Sequence, residues 1–402
     1  MRCLSILCLA LSACGPTMNE RVPDRTQRVQ SYLDALVAGN RTPGIQYLVL
    51  DSVRTVFEYA GGWADVARQV PINMATTMMS YSMSKTITAA AVLQLVEGGR
   101  IGLDDPVDRY VNFSPYGPGI TVRQLLSHTS GIPNPLPLRW VHLATSHDAF
   151  DEDSALRAEL QRHPRLAFAL GSKYAYSNIG YWLLGSIVQS ASAQPFTSYV
   201  NDHVLRPIGA SPSELGYRVP DLARHANGYL EKYSFFNLAK RFLIDRALIG
   251  QYEGRWLRIQ AHYTNGPPFG GLVGSARGFG KFLQDQLRQR SVLFNGNTRE
   301  LFDAPQHTTD GTPVAMTLGW HIGNLDGVRF FYKEGGGGGF HAMMRLYPSS
   351  GLGTIVMTNA TAPDVKRYLD TADRQFLQSA STHTSSLGRL PNKRLKLAAR
   401  VD

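Results

Sequence analysis

The sequence predicts a mixed α/β (α+β) fold in which one antiparallel sheet is built from both chain ends and flanked by helices, with a mainly helical segment inserted between. Three observations predict it. Runs rich in β-branched and aromatic residues gather near the two ends, at 45–59 and 328–358. Helical spacing opens and closes the ordered part. The stretch from about 101 to 260 is mostly helical in pattern, with loops at 114–118 and 132–137.

Taken in order, residues 26–38 place Val29, Tyr32, Leu33, Leu36 and Val37 on one helical face, and Gly39-Asn40 ends the helix. Runs 45–50 and 53–59 read as a hairpin that Gly61-Gly62 closes. Residues 86–97 are rich in alanine and leucine and stop at Gly98-Gly99, a helix with a glycine terminator. Beyond Phe269-Gly270-Gly271 a helix is expected over 277–287. Strands are expected at 328–333, 341–347 and 353–358, then a closing helix over 365–379. The division that follows is a signal peptide at 1–13, a tether at 14–26, one catalytic domain at 27–380 with the insertion at about 101–265, and a disordered basic tail at 381–402.

Bulk properties narrow the function. The 402 residues carry 43% hydrophobic and 18% charged side chains, an ordinary globular balance. The formal charge is +10, from 41 basic and 31 acidic residues. Five basic residues and one acidic residue lie beyond position 380, so the tail holds +4 of that excess and leaves +6. No basic stripe with aromatic partners accompanies it, so no nucleic-acid partner is expected. Cys3, Cys8 and Cys14 are the only cysteines. The folded part therefore has no disulfide, no cysteine-ligated zinc and no thiol nucleophile.

The N-terminus reads as an address. Arg2 precedes an apolar run from Leu4 to Leu11, too short to span a bilayer. Leu11-Ser12-Ala13-Cys14 resembles a bacterial lipobox, which makes Cys14 the expected lipidation site. The expectation is export across the inner membrane and a periplasmic or cell-surface lipoprotein anchored by its acyl chains.

One tetrapeptide carries the chemistry. Ser82-Met83-Ser84-Lys85 sets a hydroxyl and an amine three residues apart at a helix start, hence on one face. The amine can accept the hydroxyl proton and make Ser82 a nucleophile. No other lysine in the chain has a serine three residues before it. Tyr176-Ser177-Asn178 and Lys333-Glu334-Gly335, which runs into Gly336 to Gly339, follow in order.

Together these three motifs resemble the serine hydrolases that include class C β-lactamases, penicillin-recognising DD-peptidases and their esterase relatives. Gly102-Leu103-Asp104-Asp105-Pro106, the run ITVRQLLSHTSGIP at 120–133, Leu205 to Gly209 and Ile355 to Asn359 look like that family too. The resemblance spans roughly residues 26–379 and implies a β-lactamase/transpeptidase-like architecture. It implies that Tyr176 shares the base role with Lys85 as a phenolate or proton relay. It also implies that Asn178 holds Lys85 and contacts the substrate amide, and that Lys333, Glu334 and Gly335 line the substrate. The backbone amides of Ser82 and Gly336 would form the oxyanion hole. No metal and no other cofactor are implied.

Glu334 departs from the family pattern, whose third motif is K-[ST]-G or H-x-G. A glutamate facing the cleft would repel a substrate carboxylate by about 1 kcal/mol at ~4 Å in water, and by several at lower dielectric. That leaves neutral esters, or substrates with a free amine, as the better match. A glutamate turned outward or paired with Lys333 would change nothing, and strand alternation permits either. The expected activity is ester or amide hydrolysis through an acyl-enzyme on Ser82, acting on a small molecule or peptide. A β-lactamase or DD-carboxypeptidase is the alternative, and a non-catalytic penicillin-binding-like sensor the second. Among the remaining candidates, Tyr174 reads as a core aromatic and His128 as structural. His142 and His147 lack zinc-site spacing, residues 151–153 read as a solvated helix start, and residues 232–250 read as a flap over the cleft. Oligomeric state is left open.

Overall fold

Strand alternation settles the central sheet. In β1 (Gly44–Leu50) every residue is buried, because both faces of the strand are covered. Ile45, Tyr47 and Val49 face one core, and Leu48 and Leu50 the other. The computed structural model describes residues 24–135, 140–219, 221–361 and 363–384, with side chains at 241–243 and 378–384 excepted. The expected signal peptide, the Cys14 lipidation site, most of the tether and the basic segment after 384 lie outside the described residues.

The remaining strands of that sheet are β2 (Thr55–Asp65), β3 (Val70–Pro71), β4 (His321–Leu325), β5 (Val328–Gly337), β6 (Phe340–Tyr347) and β7 (Leu352–Thr358). Their order is β4-β5-β6-β7-β1-β2-β3, with every neighbouring pair antiparallel. The sheet is thus drawn from both chain ends, joined where β1 meets β7 in the register Ile45↔Thr358 to Leu50↔Gly353. Helices α1 (Arg25–Ala38) and α6 (Val365–Thr384) cover one face, packing Val29, Leu33, Leu369 and Phe376 on Tyr47 and Val356. The opposite face carries α2 (Ser84–Glu97) and α5 (Ala276–Leu287). Helix α2 is apolar nearly all round and is buried along most of its length, as a helix at the centre of a domain must be.

Several expectations are corrected. Gly61 and Gly62 do not close a hairpin; they pair with Ile45 and Gly44 inside β2, which runs on to Asp65. The glycine at 62 serves close approach, since a Cβ there would overlap the Pro43 carbonyl, and its φ is +84°. The closing helix passes residues 379 and 381 and reaches Thr384. The middle segment is less helical than its pattern suggests. It contributes strands at Val141–Leu143, Leu215–Gly216, Gly228–Glu231, Ile249–Glu253, Trp256–Ile259 and His262–Thr264. Runs of two to five residues are too short to show a period of two. Residues 151–153 are not all solvated. Asp151 caps its helix by accepting from Ser154 N at 3.0 Å. Glu152 turns inward to accept from Trp182 Nε1 at 3.0 Å, and burial pushes its carboxyl up to about 8.

A buried polar network fastens α6 to the sheet. Asp373, fully buried, accepts from Tyr47 OH at 2.8 Å, Tyr347 OH at 2.7 Å and Thr354 Oγ1 at 3.0 Å, with Arg345 Nη1 at 3.3 Å. Removing Asp373 would leave three buried hydroxyls without their shared acceptor and Arg345 with one carboxylate, Asp370, at 2.7 Å. Asp373→Ala is expected to lower unfolding free energy by about 3–5 kcal/mol in urea titrations; a loss below about 1 kcal/mol would show that the network does not hold the helix.

Candidate active site

The candidate nucleophile sits in a tight 3-10 turn, Tyr81–Met83, that leads into α2, rather than in the first turn of α2 itself. Tyr81 has φ +45°, a left-handed conformation costly for an aromatic residue. Its surroundings hold it there. Tyr81 OH donates to Gly338 O at 2.7 Å and lies 2.8 Å from His262 Nε2. On either side of the turn, Ser80 Oγ donates to Leu272 O at 2.7 Å, and Ser84 Oγ accepts from Leu272 N at 3.0 Å. β5 presses directly against the turn. A Cβ at Gly335 would overlap the Ser80 carbonyl, and one at Gly337 would overlap the Tyr81 ring, so both positions require glycine.

Helical spacing brings Lys85 back over Ser82. Lys85 is fully buried, with Nζ 3.0 Å from Ser82 Oγ, 2.7 Å from Asn178 Oδ1 and 2.7 Å from the Phe269 carbonyl. Burial first, and then the charge of Lys333, pushes its pKa well below the usual lysine range. A neutral amine has two protons and one lone pair. Asn178 Oδ1 and the Phe269 carbonyl can only accept, so once the amine is neutral they can take both of its protons and leave its lone pair to face Ser82 Oγ. Asn178 is itself fixed: it begins helix α3 (Asn178–Ser192), and its backbone N and Nδ2 donate to Asn134 Oδ1 at 3.0 and 3.1 Å. Tyr176 comes from the loop before α3, and its hydroxyl donates to Ser82 Oγ at 2.7 Å. Burial pushes that phenol above the usual tyrosine range, against the opposing hydrogen bond to Ser82. Tyr176 is thus placed as a hydrogen-bond donor to Ser82 Oγ.

Lys333 projects from β5 into the same interior. It is fully buried, its Nζ has no hydrogen-bond partner, and it lies 5.5 and 5.6 Å from the Tyr176 and Tyr181 ring centres. Burial alone brings its pKa down to about 7. Glu334 is not paired with it. The Glu334 carboxylate bonds His341 Nε2 at 2.7 Å, and the side chain is 41% exposed. Gly336 and His341 line the cavity that opens from Ser82, so Glu334 holds a cavity-wall histidine from behind.

His128 lies inside the site but away from the reacting atoms. Its Nδ1 accepts from Ser177 N at 3.1 Å, and its ring packs 4.5 Å from that of Tyr176. His142 and His147 lie together, Nε2 to Nδ1 at 2.9 Å, stacked with Phe150 and Tyr263. Among the described residues no group of three or more His, Cys, Asp or Glu side chains could hold a metal ion. Sequence reasoning missed three supports: Asn134, the Phe269 carbonyl, and His321, whose ring stacks 6.3 Å from Tyr176. Asn134 stood in a recognised loop, Ile132 to Pro137, but nothing in that loop announces its partner.

A two-ended antiparallel sheet that presents a strand of glycines to a serine–lysine turn defines a penicillin-recognising type of architecture. The chain belongs to the Beta-lactamase family, whose profile matches residues 29–378. Protein flp of Staphylococcus aureus (strain MW2) is 29% identical over 193 residues, 46% of this chain and 37% of that protein. The chain therefore spans little more than a third of that relative. Penicillin-binding protein 4* of Bacillus subtilis (strain 168) is 24% identical over 333 residues, 82% of this chain and 69% of that protein. In structure, the octameric penicillin-binding protein homologue from Pyrococcus abyssi matches with a TM-score of 0.71 at 22% identity, over 88% of this chain and 77% of that one.

The burial of Lys333 has a pH-dependent cost. Its folded pKa of about 7 lies below the unfolded value near 10.4, so the native state resists a proton that the unfolded chain binds. The cost is full below the folded pKa and vanishes as pH rises to the unfolded one. Lys333→Met is expected to raise unfolding free energy at pH 7 by roughly 3–4 kcal/mol, with the gain shrinking toward pH 10. Chemical denaturation at the two pH values checks this; an equal effect at both would mean that Lys333 titrates normally.

Proposed function

We propose that this chain is a serine hydrolase that opens ester or amide bonds through an acyl-enzyme on Ser82. The observation that carries the reading is the convergence on Ser82 Oγ of the buried Lys85 amine at 3.0 Å and the Tyr176 phenol at 2.7 Å. Ser82 passes its proton to the lone pair of Lys85 Nζ as Oγ attacks the carbonyl carbon. The backbone amides of Ser82 and Gly336 are assigned to the oxyanion. As the tetrahedral intermediate collapses, the proton returns from Lys85 to the departing alkoxide or amine, with Tyr176 as relay. Water then attacks the acyl-enzyme by the reverse route and frees the acid.

Glu334 supports neutral esters, or substrates with an amine, over substrates with a free carboxylate. The family hydroxyl at this place would donate to a carboxylate; Glu334 has no proton to offer one and is bonded to His341 instead. This favours the esterase or amidase reading over the β-lactamase or carboxypeptidase reading.

Ser82→Ala is expected to reduce p-nitrophenyl acetate hydrolysis by at least a thousandfold with little change in melting temperature. Retained turnover would remove Ser82 from the mechanism. In the parent enzyme, kcat/KM should fall on the acid side as Lys85 is protonated, at a pH below the ordinary lysine range. Glu334→Thr should raise the ratio of nitrocefin to p-nitrophenyl acetate turnover by about tenfold; an unchanged ratio would mean that the carboxylate at 334 does not act on substrate.

A further inference from the structure

The cavity that opens from Ser82 has a volume of about 280 Å³, at the small end of ligand sites. Away from the serine it is walled by Trp140, Val141, Leu230, Ile244, Leu248 and Ile259. Leu230, Leu248 and Ile259 belong to a separate small apolar cluster that Val141 and Ile244 pack against. This wall comes from the short strands around 141–143, 228–231 and 256–259, and from the chain just after helix α4 (Phe235–Leu243). Phe236 of α4 lies on the wall and is 38% exposed, so the rim is apolar as well.

The polar side chains on the wall offer a ligand little. Tyr81 OH is taken by Gly338 O and His262 Nε2, and His262 Nδ1 by the Gln260 carbonyl at 2.8 Å. Thr264 Oγ1 donates to Gly270 O at 3.0 Å. Thr361 Oγ1 donates to Gly337 O at 2.9 Å and accepts from Gly339 N at 2.7 Å. Asn178 is spent on Lys85 and Asn134. Lys333 and Glu334 are not among the lining residues, and no other charged Asp, Glu, Lys or Arg side chain is. His341 Nδ1 is the exception, buried without a partner among the described residues; elsewhere on the wall a polar or charged group would lose its water and find little in return, which costs free energy, whereas each methylene placed there gains it.

We infer that this cavity is an acyl-chain site, and that the preferred substrates are uncharged esters with an unbranched aliphatic acyl chain of medium length. The inference rests on the hydrolase reading, because Ser82 marks where the chain must begin. A carbonyl at Ser82 and Gly336 puts the acyl carbons against the glycine run and then against Ile259, Leu230 and Leu248.

The test is a series of p-nitrophenyl esters from acetate to octanoate on the purified protein, with Val141→Trp beside it. Val141 is half-buried and sits on the wall, so tryptophan there fills the cavity without opening a hole in the core. Each added methylene should raise kcat/KM by about fourfold until the cavity is full. Val141→Trp should lower the octanoate-to-acetate ratio at least tenfold. A flat series with acetate still cleaved at Ser82 would overturn the acyl-chain site and leave the hydrolase reading standing. Binding separates the opposite failure. Methyl octanoate added to Ser82→Ala should change tryptophan fluorescence through Trp140, with saturation that Val141→Trp weakens. Saturable binding supports the site even if no ester is turned over, and the hydrolase reading then falls alone; no binding overturns the site.

Discussion

Two lysine amines are buried within one protein interior, and only one of them has hydrogen-bond partners among the described residues. That imbalance organises the candidate site. Lys85 Nζ reaches Asn178 Oδ1, the Phe269 carbonyl and Ser82 Oγ. Lys333 has no acceptor, so burial pulls its pKa to about 7, and whatever charge it carries presses further on Lys85. Burial of this kind is expensive, and the expense explains the density of structure around it. Helix α2 is apolar nearly all round, and Asn134 fixes the amide of Asn178 so that its oxygen faces the amine.

The second constraint is proximity. The glycine half of β5, beyond its pairing with β4, meets the nucleophile turn so closely that a side chain at Gly335 or Gly337 would strike it. Five glycines in a row let a backbone approach its neighbours closely. Here two of them are required because Ser80 and Tyr81 occupy the space a Cβ would need. The left-handed Tyr81 belongs to the same arrangement, since its hydroxyl ties the turn back to Gly338.

The middle segment supplies much of the cavity wall. Its short strands and the chain after α4 build an apolar wall whose polar groups are already satisfied, next to a reacting centre that is strongly polar. The expected flap at 232–250 corresponds in part to this wall: Phe236, Ile244 and Leu248 all reach the cavity.

The sequence alone determined the two-ended sheet and the pairing of Ser82 with Lys85. Both follow from local rules: strand alternation shows in 45–50 and 353–358, and a three-residue separation on a helix leaves the amine little choice of face. It also showed that Glu334 breaks the usual third motif, but not where the carboxylate points. The tertiary structure alone decided that, because its partner His341 lies on the next strand, in a register no single strand encodes. It also decided that Tyr176 meets Ser82 and is buried there, which raises its phenol, since burial depends on residues distant in the chain. Asn134, the Phe269 carbonyl and the apolar wall were out of reach of sequence reasoning for the same reason. A backbone carbonyl has no sequence signature, and a cavity is a property of what surrounds it.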